Sequence, residues 1–357
     1  MKLPLAALCI ALQLLHLNTV LAYSEAGHRV VGAVADQLIA GKPTGDAVKK
    51  LLGSVTLERA STLPDELRGE DRAKGTFTLP ENPALQSELL AFRTANPPSY
   101  DDLNRIPPSH HWFHYTDVPI QSASYSATKR GTSQWDIVHM ITFCARVLEG
   151  KEKPDNSLKI TPAVALVLLT HYVGDIHQPL HVGAIYLNKN GDRLDPNSDP
   201  AALEDRGGND INFGGTSLHA YWDYDAVESC LTYRRRTLGK LTEQYQPRDF
   251  AMELAKKEPI NWKPAAGSSP ETWAEAWAND VLPLALEAHN RLKFLPQEEF
   301  AKNRDGTSVL HWTAIEAPHI GSDSYSIWAS KTVEKELPKA GWRLAAMLDA
   351  TLGAPAK

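Results

Sequence analysis

The sequence of 357 residues contains only three cysteines. Cys9 lies in the apolar N-terminal segment, which leaves Cys144 and Cys230 for the rest of the chain. These two could form a disulfide bond in an oxidising compartment, or remain as buried thiols. No Asn-x-Ser/Thr sequon is present, so N-glycosylation is not expected. The G-x-S-x-G turn is also missing, which disfavours a Ser-His-Asp hydrolase.

An excess of positive charge is missing as well. The chain has 37 Lys and Arg against 43 Asp and Glu, for a formal net charge of −6. Proteins that coat nucleic acid are usually basic, so this balance argues against such a role. It does not exclude an enzyme that meets phosphate through bound metal ions, because such a site needs no basic surface.

Long hydrophobic runs are confined to the amino terminus. Residues 1–22 combine Lys2, an apolar run over residues 3–15 and the ending Val20-Leu21-Ala22, a pattern that predicts a cleavable signal peptide. The alternative is a membrane anchor, but the run is too short to span a bilayer, which needs about 20 apolar residues. We therefore expect cleavage between Ala22 and Tyr23, a secreted or periplasmic location and no membrane anchor.

Helical periodicity dominates the remaining chain, and strand patterns are few and short. The predicted helices cover residues 24–40, 134–148, 163–176, 218–233, 271–292 and 331–348. Residues 73–110 are predicted to be mainly loop, and residues 183–208 an exposed loop with a small hairpin. No linker divides the chain. The prediction is an all-α, single-domain fold over residues 23–357, with long loops and at most a small β-hairpin.

One segment contains an unusual density of metal-binding side chains: His171-Tyr-Val-Gly-Asp175-Ile-His177-Gln-Pro-Leu-His181. His171 and Asp175 are four residues apart, so they share one face of a helix. The chain can turn back after Pro179 and bring His181 to the same region. Polar side chains at the end of an apolar helix need compensation, which a metal ion supplies. The alternative is a hydrogen-bonded cluster in the core.

Weaker motifs occur elsewhere in the chain. His219 and Asp223 repeat the i, i+4 spacing of His171 and Asp175. His110, His111 and His114 form a third motif, and their spacing alone does not show which of them binds a metal. The last two candidates are Asp65 with Arg68, a spacing that is more often a surface pair, and His28 near the expected new amino terminus.

Together these motifs offer five His and three Asp ligands, too many for one ion and suitable for two or three. Nitrogen and oxygen ligands without thiolate suit zinc, although manganese or iron would accept similar ligands. Paired ions about 3.5–4 Å apart are a recurrent device for hydrolysing phosphodiesters.

In the combination of its HxxxDxHQPLH and GGN…LHxxWD motifs, the sequence resembles the zinc-dependent, single-strand-specific type I nucleases, which also act as 3′-nucleotidases. The likeness runs from Tyr23 to Asp349 and includes the segment 340–348, Ala-Gly-Trp-Arg-Leu-Ala-Ala-Met-Leu. Bacterial zinc phospholipase C shares the family's fold. Two departures stand out: Tyr23 replaces the usual Trp, and Leu63-Pro64 replaces Trp-Ala before Asp65.

The resemblance implies three Zn²⁺ ions and a role for each matching residue. Arg68 would clamp phosphate, Tyr115 would stack on a base and Asp117 would read a base edge. His177 would be a non-ligand that orients a ligand. The implied ligands are Asp65, His114, His171 and Asp175 for one ion; the Tyr23 amine and carbonyl, His28 and Asp175 for its neighbour; and His181, His219 and Asp223 for the third.

The implied activity is hydrolysis of single-stranded DNA and RNA to 5′-phosphate products, together with 3′-nucleotide hydrolysis, by a secreted enzyme with no obligate protein partner. Arg68, Asp65 and Asp175 would be catalytic. A zinc phospholipase C is the first alternative, but Asp117 and Arg68 favour a nuclease because a choline headgroup needs a cation-binding pocket. A non-catalytic secreted zinc-binding protein is the second.

Overall fold

The structure is a computed structural model that describes residues 24–73, 76–99, 106–127, 130–153, 155–237, 239, 246–296, 301–302, 308–309, 312–318 and 321–353. Its α-helices are α1 (Glu25–Ile39), α2 (Pro43–Leu52), α3 (Leu57–Ala60), α4 (Leu63–Ala73), α5 (Pro83–Ala95), α6 (Ile137–Leu148), α7 (Pro162–Asp175), α8 (Leu218–Ala220), α9 (Ala226–Thr237), α10 (Pro247–Lys256), α11 (Trp273–Asn290) and α12 (Tyr325–Leu352).

The strands are short, and most of them pair only with one neighbour. They are β1 (Val118–Pro119), β2 (Gly183–Ala184), β3 (Tyr186–Leu187), β4 (Leu203–Glu204), β5 (Ile211–Phe213), β6 (Thr216–Ser217), β7 (Leu292–Pro296), β8 (Ala301–Lys302), β9 (Ser308–Val309) and β10 (Trp312–Glu316). The chain is therefore mostly helical, and the predicted all-α class is confirmed.

Helix α7 lies at the centre of the fold. It begins at Pro162 behind the Thr161 cap, whose hydroxyl accepts a hydrogen bond from the Val164 N–H at 3.2 Å. All residues from Ala163 to Asp175 are buried, and helices α1 to α6 and α12 pack around them. A helix that is apolar on every side is stable only in such surroundings. Its last turn carries the polar His171 and Asp175 into the interior.

The other predicted helices are present, with small shifts at their ends. Helix α1 begins directly after Ser24. The Ser24 hydroxyl accepts a hydrogen bond from the Gly27 N–H at 3.3 Å and so caps the helix. The predicted helix over residues 331–348 is longer in the structure, where α12 spans Tyr325–Leu352. Among the residues that the structure describes, no helix combines the length and apolarity that crossing a membrane requires.

Two expectations about the loops are corrected. The segment predicted to be mainly loop contains α5, because Asn82 caps the Leu85 N–H, Pro83 fits the first turn and Leu89 and Phe92 are buried. The strands also exceed one hairpin. Besides the expected β3–β4 hairpin there is a four-stranded sheet in the order β6-β5-β10-β7. Its β5–β10 pair joins segments about a hundred residues apart, which local patterns cannot reveal.

Cys144 on α6 and Cys230 on α9 are both buried free thiols. Of the two states that the sequence left open, the structure has the reduced one. Burial raises the pKa of Cys230 to about 12, so this thiol stays protonated and unreactive at neutral pH.

Strands β1 and β2, which follow the candidate ligands His114 and His181, form a short parallel pair. Strand β1 pairs with β2 through Val118 and Gly183, and the Thr116 N–H donates to the His181 carbonyl at 2.9 Å. This pairing holds two 3₁₀ turns, His110–His114 and Pro179–His181, next to the end of α7.

Candidate metal centre

The first group of candidate ligands surrounds one oxygen of Asp175. Its Oδ2 lies 3.0 Å from His114 Nδ1 and 3.0 Å from His171 Nε2, and these two nitrogens are also 3.0 Å apart. Asp65, in the first turn of α4, places Oδ1 3.8 Å from His171 Nε2. Four residues from two helices and a 3₁₀ turn thus point their donor atoms at one small volume.

A second group uses the other oxygen of the same carboxylate. His28 Nε2 on α1 lies 3.2 Å from Asp175 Oδ1, and the His28 ring stacks on His171 with centroids 3.9 Å apart. Gly174 makes room for this ring, because a Cβ there would lie 2.8 Å from His28 Nδ1. Tyr23, whose amine and carbonyl are expected to complete this group, lies outside the described residues.

A third group lies beyond the end of α7. The rings of His181 and His219 stack with centroids 4.9 Å apart. His219 Nε2 is 3.4 Å from Asp223 Oδ2, and His181 Nε2 is 3.8 Å from Asp223 Oδ1. Asp223 belongs to a π-helical turn, Tyr221–Asp225, between α8 and α9. Such turns often occur at functional sites because they change the direction of a side chain.

The hydrogen bonds of the histidines fit metal ligation. The Nδ1 atoms of His171, His181 and His219 donate to backbone carbonyls of Ser61, His114 and Gly207 at 2.6, 2.9 and 2.7 Å. Each Nε2 therefore keeps its lone pair and faces a carboxylate. Within the described part of the chain, the buried His181 Nε2 and Asp175 Oδ1 have no hydrogen-bond partner. Such atoms are costly unless a cation contacts them.

The protonation states of the candidate ligands also favour metal binding. Burial by itself would raise the pKa of Asp175, but the surrounding histidines, led by His171, hold the pKa of this carboxyl well below its usual range. Burial and the nearby Arg68 guanidinium lower the pKa of His114 well below normal, so this ring is neutral at pH 7. The neutral ring of His114 and the ionised carboxylate of Asp175 are therefore in the forms that bind divalent metal ions.

Arg68 stands beside the first group of ligands. It lies one helical turn after Asp65 on α4, and its Nη1 is 3.2 Å from Asp65 Oδ1. Burial lowers the pKa of both His114 and His219, which belong to different groups, and the nearby Arg68 charge lowers both further. The guanidinium therefore lies near the space between the first and third groups.

Tyr115 and Asp117 follow His114 directly. Tyr115 is partly exposed, whereas Asp117 is buried and its Oδ1 has no hydrogen-bond partner among the described residues. Burial, and then the neighbouring Glu204 carboxyl, raise the pKa of Asp117 well above its usual range. Asp117 Oδ1 also lies near the third group, since a Cβ at Gly207 would be 3.5 Å from this oxygen and 3.6 Å from His219 Nδ1.

The expectation that His177 orients a metal ligand is wrong. Its Nδ1 donates to the Val173 carbonyl at 2.7 Å, and its Nε2 accepts from Arg343 Nη1 at 2.9 Å, so the ring faces α12 and orients no ligand. Its neighbour Gln178 has that contact instead, because Gln178 Nε2 donates to Asp223 Oδ1 at 3.0 Å. Within HQPLH, a turn after α7 sends these adjacent side chains to opposite sides, which spacing alone does not show.

A further cluster was missed in the sequence. Asp71 Oδ2 on α4 lies 2.8 Å from His110 Nε2 and 3.0 Å from His111 Nε2, while Asp71 Oδ1 lies 2.5 Å from Arg93 Nε. The Arg93 charge neutralises Asp71, so this cluster is an ordinary hydrogen-bonded junction between α4, α5 and the turn that carries His114. It explains why His110 and His111 point away from the candidate ligands.

Eight His and Asp side chains from distant parts of the chain thus form contiguous donor groups suited to several divalent ions, as in metal-dependent phosphodiester hydrolases. Comparison with known families agrees with this class. The S1/P1 nuclease family matches residues 23–353, and the chain belongs to this family.

The chain is similar to curated plant nucleases along much of its length. Endonuclease 3 of Arabidopsis thaliana is 24% identical over 349 residues, which cover 95% of this chain and 92% of that protein. Endonuclease 4 of the same plant is 25% identical over 261 residues, which cover 67% of this chain and 72% of that protein. The chain is therefore a nuclease whose substrates are nucleic acids.

Proposed function

We propose that this chain is a secreted endonuclease that uses three zinc ions to hydrolyse single-stranded DNA and RNA to 5′-phosphate products, and that it also hydrolyses 3′-nucleotides. The observation that carries the proposal is the sharing of Asp175. One of its oxygens faces His114 and His171, and the other faces His28. A carboxylate that bridges two donor groups is the arrangement that holds two ions close together.

In this proposal Asp65, His114, His171 and Asp175 would hold the first ion. Asp175, His28 and the backbone amine and carbonyl of Tyr23 would hold the second, and His181, His219 and Asp223 would hold the third. Zinc bound there would activate a water molecule and offset the negative charge of the phosphate. The donor set supports zinc, because it consists of imidazole and carboxylate with no thiolate.

Arg68 would hold the phosphate for this reaction. Its guanidinium is mostly buried and pairs with Asp65 through Nη1, while the buried Nε has no hydrogen-bond partner within the described residues. A planar guanidinium with free donors matches two phosphate oxygens at once. Asp65 would fix the direction of that guanidinium and also bind the first ion, so the pair would link substrate and metal.

Single-strand preference would come from Tyr115. The ring is partly exposed and directly follows His114, so a base could stack on it only when that base is outside a duplex. Stacking contributes about 1–3 kcal/mol per base and requires no particular sequence. Asp117, two residues further on, would contact the edge of the same base.

We propose that residues 1–22 are removed as a signal peptide and that residues 23–357 form a single catalytic domain. Removal would free the Tyr23 amine for the second ion, so secretion would also be a condition of activity. His28 supports this proposal, because it lies near the start of α1 and its Nε2 already faces Asp175. A variant with one extra residue before Tyr23 should bind the second zinc more weakly, and full activity of that variant would contradict the role of the amine.

The test is an assay of the purified mature protein on single-stranded DNA, single-stranded RNA, duplex DNA, 3′-AMP and phosphatidylcholine. We expect cleavage of the single strands and 3′-AMP, little cleavage of the duplex, and complete loss after chelation with recovery on adding zinc. Undiminished cleavage after chelation would contradict the metal proposal, and preference for phosphatidylcholine would favour a phospholipase C.

A matched pair of arginine variants tests the site itself. Arg68→Ala should lower kcat/KM by about a thousandfold, because a charged clamp on the transition state contributes several kcal/mol. Arg146→Ala is the control, since Arg146 pairs with Glu152 and Glu271 on the surface of α6. Equal activity of the two variants would show that Arg68 does not act on the substrate.

A further inference from the structure

We propose that Asp136 is a positioning residue for the base-binding segment 115–117, and that it fixes the direction of the Tyr115 ring through Thr116. Asp136 lies directly before α6, and its carboxylate contacts the Thr116 hydroxyl. This inference rests on the proposed function, in which a base stacks on Tyr115. It assigns a role in substrate binding to a carboxylate outside the three donor groups.

The segment 115–117 is extended, so its side chains alternate in direction. Tyr115 has a φ of −152° and a ψ of 168°. Beyond it, the alternate N–H groups of Thr116, Val118 and Ile120 donate to the adjoining segment that ends in β2. In an extended chain the residues i and i+2 lie on one side and the residue between them on the other. Tyr115 and Asp117 therefore share one side, and the buried Thr116 points to the opposite, inner side.

On that inner side the start of α6 holds the segment by two contacts. The Thr116 hydroxyl donates to Asp136 Oδ2 at 3.1 Å. The next residue, Ile137, donates its backbone N–H to the Tyr115 carbonyl at 3.2 Å. One contact uses a side chain and the other uses the main chain, and they involve neighbouring residues on both segments. A change in the direction of Tyr115 would therefore disturb both contacts.

Gly131 brings the turn before α6 against the same segment. Its carbonyl accepts from the Asp117 N–H at 2.9 Å and lies 3.4 Å from the Thr116 hydroxyl, which is farther than Asp136 Oδ2. A Cβ on residue 131 would lie only 1.9 Å from the Asp117 carbonyl oxygen, and Gly131 has a φ of 81°, so this position requires glycine. The turn that leads to Asp136 thus packs so closely on the segment that no side chain fits between them.

The Asp136 carboxylate makes more contacts than the capping of α6 requires. A cap needs one acceptor, and Oδ1 supplies it by accepting from the His139 N–H at 3.1 Å. Oδ2 accepts from three groups outside the helix: the Thr116 hydroxyl, the Tyr125 hydroxyl at 2.9 Å and the Ser133 N–H at 3.3 Å. Asp136 is only 2% exposed, so protein donors replace water around both oxygens. The second oxygen is therefore a fixed anchor for Thr116.

This anchor acts on the base-binding segment separately from the metal ligands. Thr116 also donates its N–H to the carbonyl of the candidate ligand His181 at 2.9 Å. That contact belongs to the main chain and does not involve the hydroxyl. Removal of the hydroxyl should therefore release the Tyr115 ring from its fixed direction while His181 stays in place.

The test compares kcat/KM for two dinucleoside monophosphates, one with adenine and one with an abasic residue 5′ to the cleaved bond. The ratio of the two values measures what the base contributes. Thr116→Val removes the hydroxyl and keeps the branched shape, so the ratio should fall about fivefold, near the lower end of the roughly 5- to 150-fold expected for loss of a whole stacking surface. Thr116→Ser keeps the hydroxyl and should keep the parental ratio. Zinc content and cleavage of the abasic substrate should not change in either variant.

Asp136→Asn supplies a second variant in case Thr116→Val does not fold. Asparagine still caps α6, but its amide nitrogen cannot accept from Thr116, so the ratio should fall by a similar factor. The double variant should show no further fall, because both changes remove the same contact. Thr142→Val is the control, since that hydroxyl donates to the Val138 carbonyl within α6 at 2.9 Å.

The outcomes separate this inference from the proposed function. A parental ratio above one that stays unchanged in folded Thr116→Val or Asp136→Asn protein overturns the inference and leaves the proposed function intact. An equal loss of activity on the two substrates also overturns it, because the damage would not be specific to the base. A parent that cleaves both substrates equally well contradicts the stacking role of Tyr115 in the proposed function, and the inference fails with it.

Discussion

His28 Nε2 on α1 lies 3.2 Å from Asp175 Oδ1 at the end of α7, and both side chains are almost fully buried. The other oxygen of Asp175 contacts His114 and His171 at 3.0 Å. The Asp175 carboxylate thus contacts two groups of candidate ligands, one that contains His28 and one that contains His114 and His171.

Asp175→Asn should remove two of the three proposed zinc ions. The amide has no negative charge and cannot bridge two cations, so both neighbouring groups lose their shared ligand. We expect about one zinc per chain by elemental analysis and a fall in kcat of about a thousandfold, equivalent to several kcal/mol. Asp349→Asn is the control, because that carboxylate binds Lys42 and Thr44 away from the site. Three zinc ions in the Asp175→Asn protein would disprove the bridge.

Two adjacent residues of the HQPLH segment should differ in their effect on zinc binding. Gln178→Ala removes the donor to Asp223, so the affinity for the third zinc should fall about 10- to 100-fold. His177→Ala instead removes the contact with Arg343, so the free energy of unfolding should fall by about 1–3 kcal/mol while zinc content is unchanged. Zinc titration and chemical denaturation of both variants distinguish these effects, and the reverse pattern would contradict the contacts described.

Asp71 should make the metal-free protein sensitive to acid. Burial alone would raise the pKa of Asp71, but the hydrogen bonds from His110, His111 and Arg93 lower it well below normal. An acid with a depressed pKa stabilises the fold above its unfolded pKa, about 3.9, and that contribution is lost as the pH falls further.

Asp71→Asn should therefore be less stable than the parent by about 1–3 kcal/mol at pH 7, with a smaller difference at pH 3. Chemical denaturation in the presence of a chelator, at pH 3 to 7, measures both values without interference from zinc release. A difference that stays constant over this range would show that Asp71 is not the group responsible.

Tyr115→Ala should weaken the binding of single strands. Loss of one stacking surface costs about 1–3 kcal/mol, which raises KM about 5- to 150-fold and leaves zinc content unchanged. Tyr233→Ala is the control, because that ring is exposed on α9. Kinetics on a short single-stranded oligonucleotide measure the effect. An unchanged KM would place the base elsewhere.

Much of this account could be predicted from local patterns, because the relevant residues are close in sequence. His171 and Asp175 share a face of α7, and the apolar turns before them predicted a buried helix, as observed. His219 and Asp223 have the same spacing, and they too lie together. These pairs, together with the family motifs, led to all the described residues that now form the three donor groups.

What could not be predicted depends on contacts between distant segments. Spacing did not separate His114 from His110 and His111, because the choice is made by Asp71, which lies on another helix. His177 was expected to orient a ligand, but its ring contacts Arg343, which lies on the distant helix α12. Contacts between residues so far apart in the chain leave no periodic pattern in the sequence.

Native mass spectrometry of the purified mature protein tests the central claim most directly, because one spectrum gives both the amino terminus and the number of bound ions. The account predicts a chain that begins at Tyr23 and carries three zinc ions, all of which are lost after chelation. A chain that begins at Tyr23 and carries no zinc, or only one ion, would contradict it.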